Sequence, residues 1–194
     1  AVTKGWLKKA DVPTVPAMKQ KKNRRRAFSP SDYDRMCRVA QERIDAVADA
    51  RQRHQRTVLL DFLIVVRFTG LRPHEAYGLT WADVHMEDRF LHVAGGKTGE
   101  RDVALLDDEV VDRLHEIRKR HTKQQGGKLD PATSVFAGFT GKPTGDVKKA
   151  FGTLLKACSF QHSTAKDYCQ YSLRHLYATD LVGRGCQDGI LAKL

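Results

Sequence analysis

Two arginines stand where a helix disfavours them. Arg72 falls in Thr69-Gly70-Leu71-Arg72-Pro73-His74-Glu75. Pro73 is a favoured first helical residue, so Arg72 sits at a helix start. Arg174 falls in Tyr171-Ser172-Leu173-Arg174-His175, with Ser172 as the expected N-cap. The helix dipole disfavours a cation at this end by about 0.3–1 kcal/mol and favours an anion. One shared anion resolves both conflicts, because a phosphate accepts bidentate hydrogen bonds from guanidinium groups. Local ion pairs resolve them equally well: Glu75 follows Arg72 by three residues, and Asp167 and Asp180 flank Arg174. A third cation, Lys97, lies on the turn Gly95-Gly96-Lys97-Thr98-Gly99-Glu100. Lysine on such a turn is ordinarily solvated.

The surrounding pattern supplies the elements that hold these residues. Ser29-Pro30 reads as an N-cap and first helical residue, opening a helix to about Asp49. Its apolar stripe is Tyr33, Met36, Val39, Ala40, Ile44 and Val47. A second helix over 56–69 is apolar almost all round and is expected to be the buried central helix, stopped by Gly70. A short helix follows from Pro73 to Leu79. The period then changes. Residues 89–94 and 101–105 read as two strands of a β-hairpin around the glycine turn. Asp107 caps a helix over 108–121, acidic in its first turn and basic in its last. Ser134-Val135-Phe136 reads as one more short strand, followed by helices over 144–158 and 172–184. The expected class is mainly α with a small antiparallel β-sheet, an α+β arrangement.

Charge divides the chain. Residues 1–26 carry nine lysines and arginines against Asp11, a net +8 out of +11 for all 194 residues. The densest part holds Lys19, Lys21, Lys22, Arg24, Arg25 and Arg26. Such a stretch is either a solvated linker or an arm lying along a nucleic-acid backbone. It is read as an interdomain linker or arm, with one domain over 27–194. Composition excludes general disorder, since hydrophobic residues make up 41%. No apolar run reaches the roughly 18 residues of a membrane span, and no apolar signal core opens the sequence. Cys37, Cys158, Cys169 and Cys186 show no CxxC spacing, the pattern of incidental thiols in a reducing, cytoplasmic setting. A zinc set of Cys158, His162, Cys169 and His175 matches no standard spacing, so no metal or other cofactor is expected.

At this point three segments carry a resemblance. Thr69 to Ala76 followed by Leu79-Thr80-Trp81-Ala82-Asp83-Val84 resembles the first arginine box of the tyrosine recombinases, the phage integrase family. Gly96-Lys97-Thr98 with Arg101-Asp102-Val103-Ala104-Leu105 resembles that family's hairpin lysine. Tyr171 to Thr179 resembles the second box, usually written H-x-L-R-H. The three stand in the family's order, from about Ala27 to Leu194. The resemblance implies the DNA breaking-rejoining fold and a site-specific recombinase acting on double-stranded DNA. It implies Arg72 and Arg174 on the scissile phosphate, Lys97 as general acid, and a 3′-phosphotyrosyl intermediate made without metal. It also implies a synaptic tetramer of the full-length protein on DNA.

Two departures qualify it. Tyr171 stands where the family usually has histidine, and a tyrosine can donate a hydrogen bond but does not shuttle protons near neutral pH. The Leu-Gly-His turn and the nucleophilic tyrosine, expected after Leu194, are absent from the sequence, which reads as an incomplete catalytic domain, inactive alone. Tyr177 shares a helix face with Arg174 and reads as core; Tyr33, Tyr77 and Tyr168 match no nucleophile motif. A non-catalytic DNA-binding protein on this fold and a type IB topoisomerase-like enzyme are the alternative readings.

Overall fold

The computed structural model describes residues 26–96, 99–142, 147–160 and 163–186. The basic arm before Arg26, Lys97, residues 143–146, His162 and everything after Cys186 lie outside the described residues. Helix α1 spans Pro30–Asp45. Ser29 caps it, its Oγ accepting from the Asp32 N–H at 3.1 Å. Tyr33, Met36, Ala40 and Ile44 form the buried stripe. The helix ends before the expected Asp49 because that residue caps the next one: its Oδ1 accepts from the Gln52 N–H at 2.8 Å. Val47 therefore lies in the connecting turn, where its carbonyl accepts from Arg53 Nε at 2.9 Å. Helix α2, Ala50–Thr69, begins six residues before the apolar run suggested, with an exposed polar first turn.

Beyond that turn α2 is buried on nearly every side, including Val58, Leu59, Phe62, Leu63, Val65 and Val66. It is the central helix, and the rest of the domain is built around it. Gly70 stops it in the left-handed conformation, φ 63°, its N–H donating to the Val66 carbonyl at 3.0 Å. The short helix α3, Pro73–Gly78, follows, and a 3-10 turn at Trp81–Asp83 leads into the sheet.

That sheet has three antiparallel strands in sequence order: β1 (Val84–His85), β2 (Phe90–Gly96) and β3 (Gly99–Ala104). Two residues carry no period, so β1 has no signature in the sequence. The hairpin is the expected one, and its register pairs Leu91 with Val103 and Val93 with Arg101. Leu91, Val93 and Val103 are buried on one face, while His92 and Asp102 pair on the other at 2.9 Å.

Helix α4, Asp108–Gln124, runs three residues past its expected end. Ser134-Val135-Phe136 is not a strand: Ser134 makes a single bridge to Thr80. Its hydroxyl accepts from the Phe136 N–H at 3.2 Å and its carbonyl from the Ala137 N–H at 3.1 Å. These turn bonds compete with a ladder, and Val135 and Phe136 serve as core instead. Helix α5 covers Lys148–Ala157, burying Phe151, Leu154 and Leu155. Helix α6 covers Tyr171–Gly183. Gln170 takes the N-cap position, and Ser172, expected there, lies inside the first turn. It is fully buried, and its Oγ accepts from the Cys169 N–H at 3.0 Å.

Three ion pairs tie α4 and α6 to α2. Asp61, 1% exposed, meets Arg113 at 2.8 Å and Arg120, both on α4. Arg67 meets Asp180 of α6 at 3.2 Å. Among the described residues no helix is long and apolar enough to cross a membrane.

Candidate active site

The end of α2 and the start of α6 build the site together. After its left-handed turn at Gly70, the chain presents Arg72 in an extended conformation ahead of α3. The Arg72 N–H donates to Glu75 Oε2 at 2.7 Å, which satisfies an orphan donor at the helix start. The Arg72 guanidinium donates through Nη1 to Glu75 Oε1 at 2.8 Å. The local ion pair expected from the sequence is therefore made, but Glu75 is not exclusive to Arg72. Arg101 of β3 grips the same carboxylate with two parallel bonds of 2.8 Å, Nη1 to Oε1 and Nη2 to Oε2. Burial alone would raise the Glu75 carboxyl; the bonds from Arg101 and Arg72 override it and hold it down at about 2.

Arg174 arrives from the other side. It lies one turn into α6, and its Nη1 donates to the Gly70 carbonyl, two residues ahead of Arg72. Neither Asp167 nor Asp180 captures its side chain in a described bond. Asp180 is held by Arg67 and Arg184, and the Asp167 carboxylate accepts from Thr164. Burial, then the charges of Arg72 and Arg101, push the Arg174 guanidinium below its usual value, opposed by Glu75. Arg72 and Arg101 thus share one buried carboxylate, and Arg174 is held at the Gly70 carbonyl two residues before Arg72. Cations gathered in this way suit an anion, which relieves their mutual repulsion.

Tyr177 fixes this meeting point. Its ring is 5% exposed and packs on Gly70, which has no side chain to obstruct it. That is the core role expected for it, and burial raises its hydroxyl above the ordinary value. Tyr171 opens α6, three residues before Arg174, and is 44% exposed. Tyr33 and Tyr168 are buried, and Tyr77 stacks on Phe62 and accepts a bond from Gln170. Beside Glu75 a groove of about 200 Å³ runs between α3 and β2, lined by His74, Asp83 and His92. Lys97, expected on the hairpin turn, is outside the described residues, as is the basic arm up to Arg25; Arg26 is exposed. Among the described residues no three His, Cys, Asp or Glu side chains gather as a metal site would require.

Arg101 is the residue that motif reading passes over. A signal is present: period-2 alternation puts it on the same face as buried Val103, where a charge needs a partner.

Residues 38–194 match the profile of the phage integrase family. The chain belongs to the phage integrase family. Several solved structures share its fold. The Tn1549 transposon integrase in complex with a circular intermediate DNA superposes with a TM-score of 0.71 at 20% identity, over 98% of this chain and 64% of that one. XerA recombinase gives 0.61 at 19% identity, over 86% and 54%. A lambda integrase dimer bound to a COC′ core site gives 0.62 at 20%, over 89% and 55%. The chain thus spans little more than half the length of the XerA and lambda chains. No curated protein matches it in sequence. The phage integrase match takes in both arginine boxes and the hairpin, and the mainly helical fold with its three-stranded sheet is that of the recombinase neighbours.

Proposed function

We propose that this domain binds duplex DNA and holds the scissile phosphate of a site-specific recombination reaction. The carrying observation is the arginine cluster: Arg72 and Arg101 on the carboxylate of Glu75, and Arg174 on the Gly70 carbonyl two residues before Arg72. Arg72 and Arg174 bind the two non-bridging oxygens. A tyrosine oxygen attacks phosphorus, the bond to the 5′-oxygen breaks, and charge builds on the non-bridging oxygens at that moment. Fixed guanidinium groups stabilise that charge more than the ground state, which lowers the barrier. Lys97 donates a proton to the departing 5′-hydroxyl, and religation runs the same steps in reverse. The arginines and the lysine provide the positive charge, so the chemistry is read as metal-free.

The nucleophile is assigned to a segment beyond residue 194. Tyr177 is buried against Gly70, and Tyr171, at the usual histidine position, serves instead as a hydrogen-bond donor to the phosphate. The basic arm, Lys19 to Arg26, follows the DNA backbone as an interdomain linker, and the full-length protein assembles as a tetramer on DNA. The test is a pool of nicked suicide duplexes incubated with the chain extended by its downstream coding sequence and resolved on a denaturing gel. A protein-linked strand is expected. It should fall by about 10²–10³-fold in Arg72→Gln or Arg174→Gln, the loss typical of a removed oxyanion donor. The 194-residue chain alone should give none. An adduct from that chain would refute the assignment and make Tyr171 the first suspect.

A further inference from the structure

Gln170 stands at the N-cap of α6, yet it does not cap that helix. Its backbone already has helical angles, φ −55° and ψ −34°, and its side chain makes no capping bond. The side-chain amide crosses instead to α3 and donates to Tyr77 Oη. A helix start gains from a capping side chain, so local helix stability does not account for where this amide goes. The cleavage chemistry above does not use it either.

The contact is a second tie between the two stretches that carry the arginines. The first is Arg174 on the Gly70 carbonyl. Gly70 and Tyr77 bracket Arg72 and Glu75 in the chain, while Gln170 and Arg174 are four residues apart on one face of α6. The two ties thus lie about 6 Å apart along the α6 axis. One tie alone lets a helix pivot; two ties a turn apart fix its direction. The receiving end is rigid. The Tyr77 ring stacks on Phe62 of α2, with centroids 5.3 Å apart and planes 11° apart, and Phe62 is fully buried.

We propose that Gln170 is a positioning residue of this site: through its bond to Tyr77 it fixes the first turn of α6 against α3, and so sets where Tyr171 and Arg174 stand relative to Arg72. The inference rests on the phosphate reading of Arg72 and Arg174. It goes beyond that reading by giving the pair its spacing. Two guanidinium groups grip one phosphate only while the elements that carry them keep their distance.

Inorganic phosphate is the probe, titrated into the 194-residue chain at low ionic strength and near-neutral pH. Arginine side-chain NMR signals report binding at Arg72 and at Arg174 separately, and a thermal melt of each variant reports folding. In the parent both signals should follow one curve. Gln170→Ala and Tyr77→Phe each cut the bond, and Tyr77→Phe keeps the ring on Phe62. Each should weaken phosphate binding about tenfold, the loss of one charge-assisted hydrogen bond. Arg72 should respond along that weaker curve, while the Arg174 response shrinks. The double variant should lose the same factor of about ten rather than about a hundred, because the two residues act as one pair. Gln170→Asn keeps the amide but is one methylene too short to bridge, and should behave as Gln170→Ala. The proposal is overturned by binding within about twofold of the parent in Gln170→Ala, by losses that multiply in the double variant, or by an Arg174 response that stays at full amplitude. Loss of both signals with a large fall in Tm marks a purely structural role and overturns it too. Arg174→Gln separates the two layers. If it leaves phosphate binding unchanged, the phosphate site itself is wrong and both readings fall. If it weakens binding and the Gln170 variants do not, the failure is confined to Gln170.

Discussion

Gly70→Ala attacks the point where α2, α6 and the first arginine meet. Gly70 has φ 63°, a conformation that costs an L-residue about 1–2 kcal/mol. A Cβ there would also overlap Cδ1 of Tyr177 and lie 2.6 Å from its Cε1. No real Cβ approaches a neighbour that closely, and the obstacle is a rigid ring, 5% exposed, that cannot swing aside. Overpacking of this kind costs about 1–3 kcal/mol. The two effects together predict a loss of about 2–5 kcal/mol, or roughly 5–20 °C in Tm for a domain of this size. Relief by moving Tyr177 would drag α6 with it and pull Arg174 from the Gly70 carbonyl. Phosphate affinity should therefore fall even in the folded fraction. The assay is thermal and urea unfolding of Gly70→Ala in the parent and in a Tyr177→Leu background. In the second background the collision is gone, and the cost should shrink to about 1–2 kcal/mol of backbone strain. A cost below about 1 kcal/mol in the parent, or one unchanged by Tyr177→Leu, would refute the reasoning.

Other perturbations test the packing and the arm. Asp61→Ala strands the charges of Arg113 and Arg120 at the α2–α4 interface and should cost about 3 kcal/mol, read as a Tm drop of roughly 6–12 °C. His121 is 1% exposed, and its Nδ1 accepts from Trp81 Nε1 at 3.0 Å. Burial, with the charges of Arg120 and His54, lowers its pKa from 6.5 to about 4. The unfolded chain thus binds a proton that the folded one refuses. Stability should fall by about 3 kcal/mol as pH drops from about 6.5 to 4, and His121→Gln should flatten urea-unfolding free energy across that window. Deleting residues 1–25 should flatten the salt dependence of duplex binding, by about 0.9 in log–log slope for each phosphate the arm had neutralised; an unchanged slope marks the arm as a passive linker.

Local signals carry far in this chain. The pattern of α2, apolar almost all round from residue 58, announces the central helix, because a helix with so little polar face has nowhere to lie except inside. Gly70 and Pro73 set the stop and the restart around Arg72, since each fixes a backbone angle by its own chemistry. The hairpin follows from alternation and a glycine turn. Boundaries fail where two local signals compete for one residue. Asp49 reads equally well as the tail of a polar stretch or as a cap, and the N–H of Gln52 decides for the cap. Ser134-Val135-Phe136 has strand composition, but turn bonds to Ser134 use the groups a ladder needs.

The sequence by itself determined that Arg72 and Arg174 sit near helix starts, that a hairpin lies between them, and that the basic charge collects in the first 26 residues. These are properties of short stretches, fixed by propensity, period and composition. What Arg72 and Arg174 do with each other belongs to the tertiary structure alone. The sequence left each arginine a nearby acid, and geometry separated the cases: Glu75 is shared with Arg101, while Asp180 is taken by Arg67 and Arg184. Arg101 lies 26 residues from Glu75 and Arg67 lies 113 from Asp180, and only the packing of α6 and β3 around α2 brings these pairs into bonding distance. An excess of cations over carboxylates at one place is a sum over residues from α3, β3 and α6. No local window of the chain contains that sum.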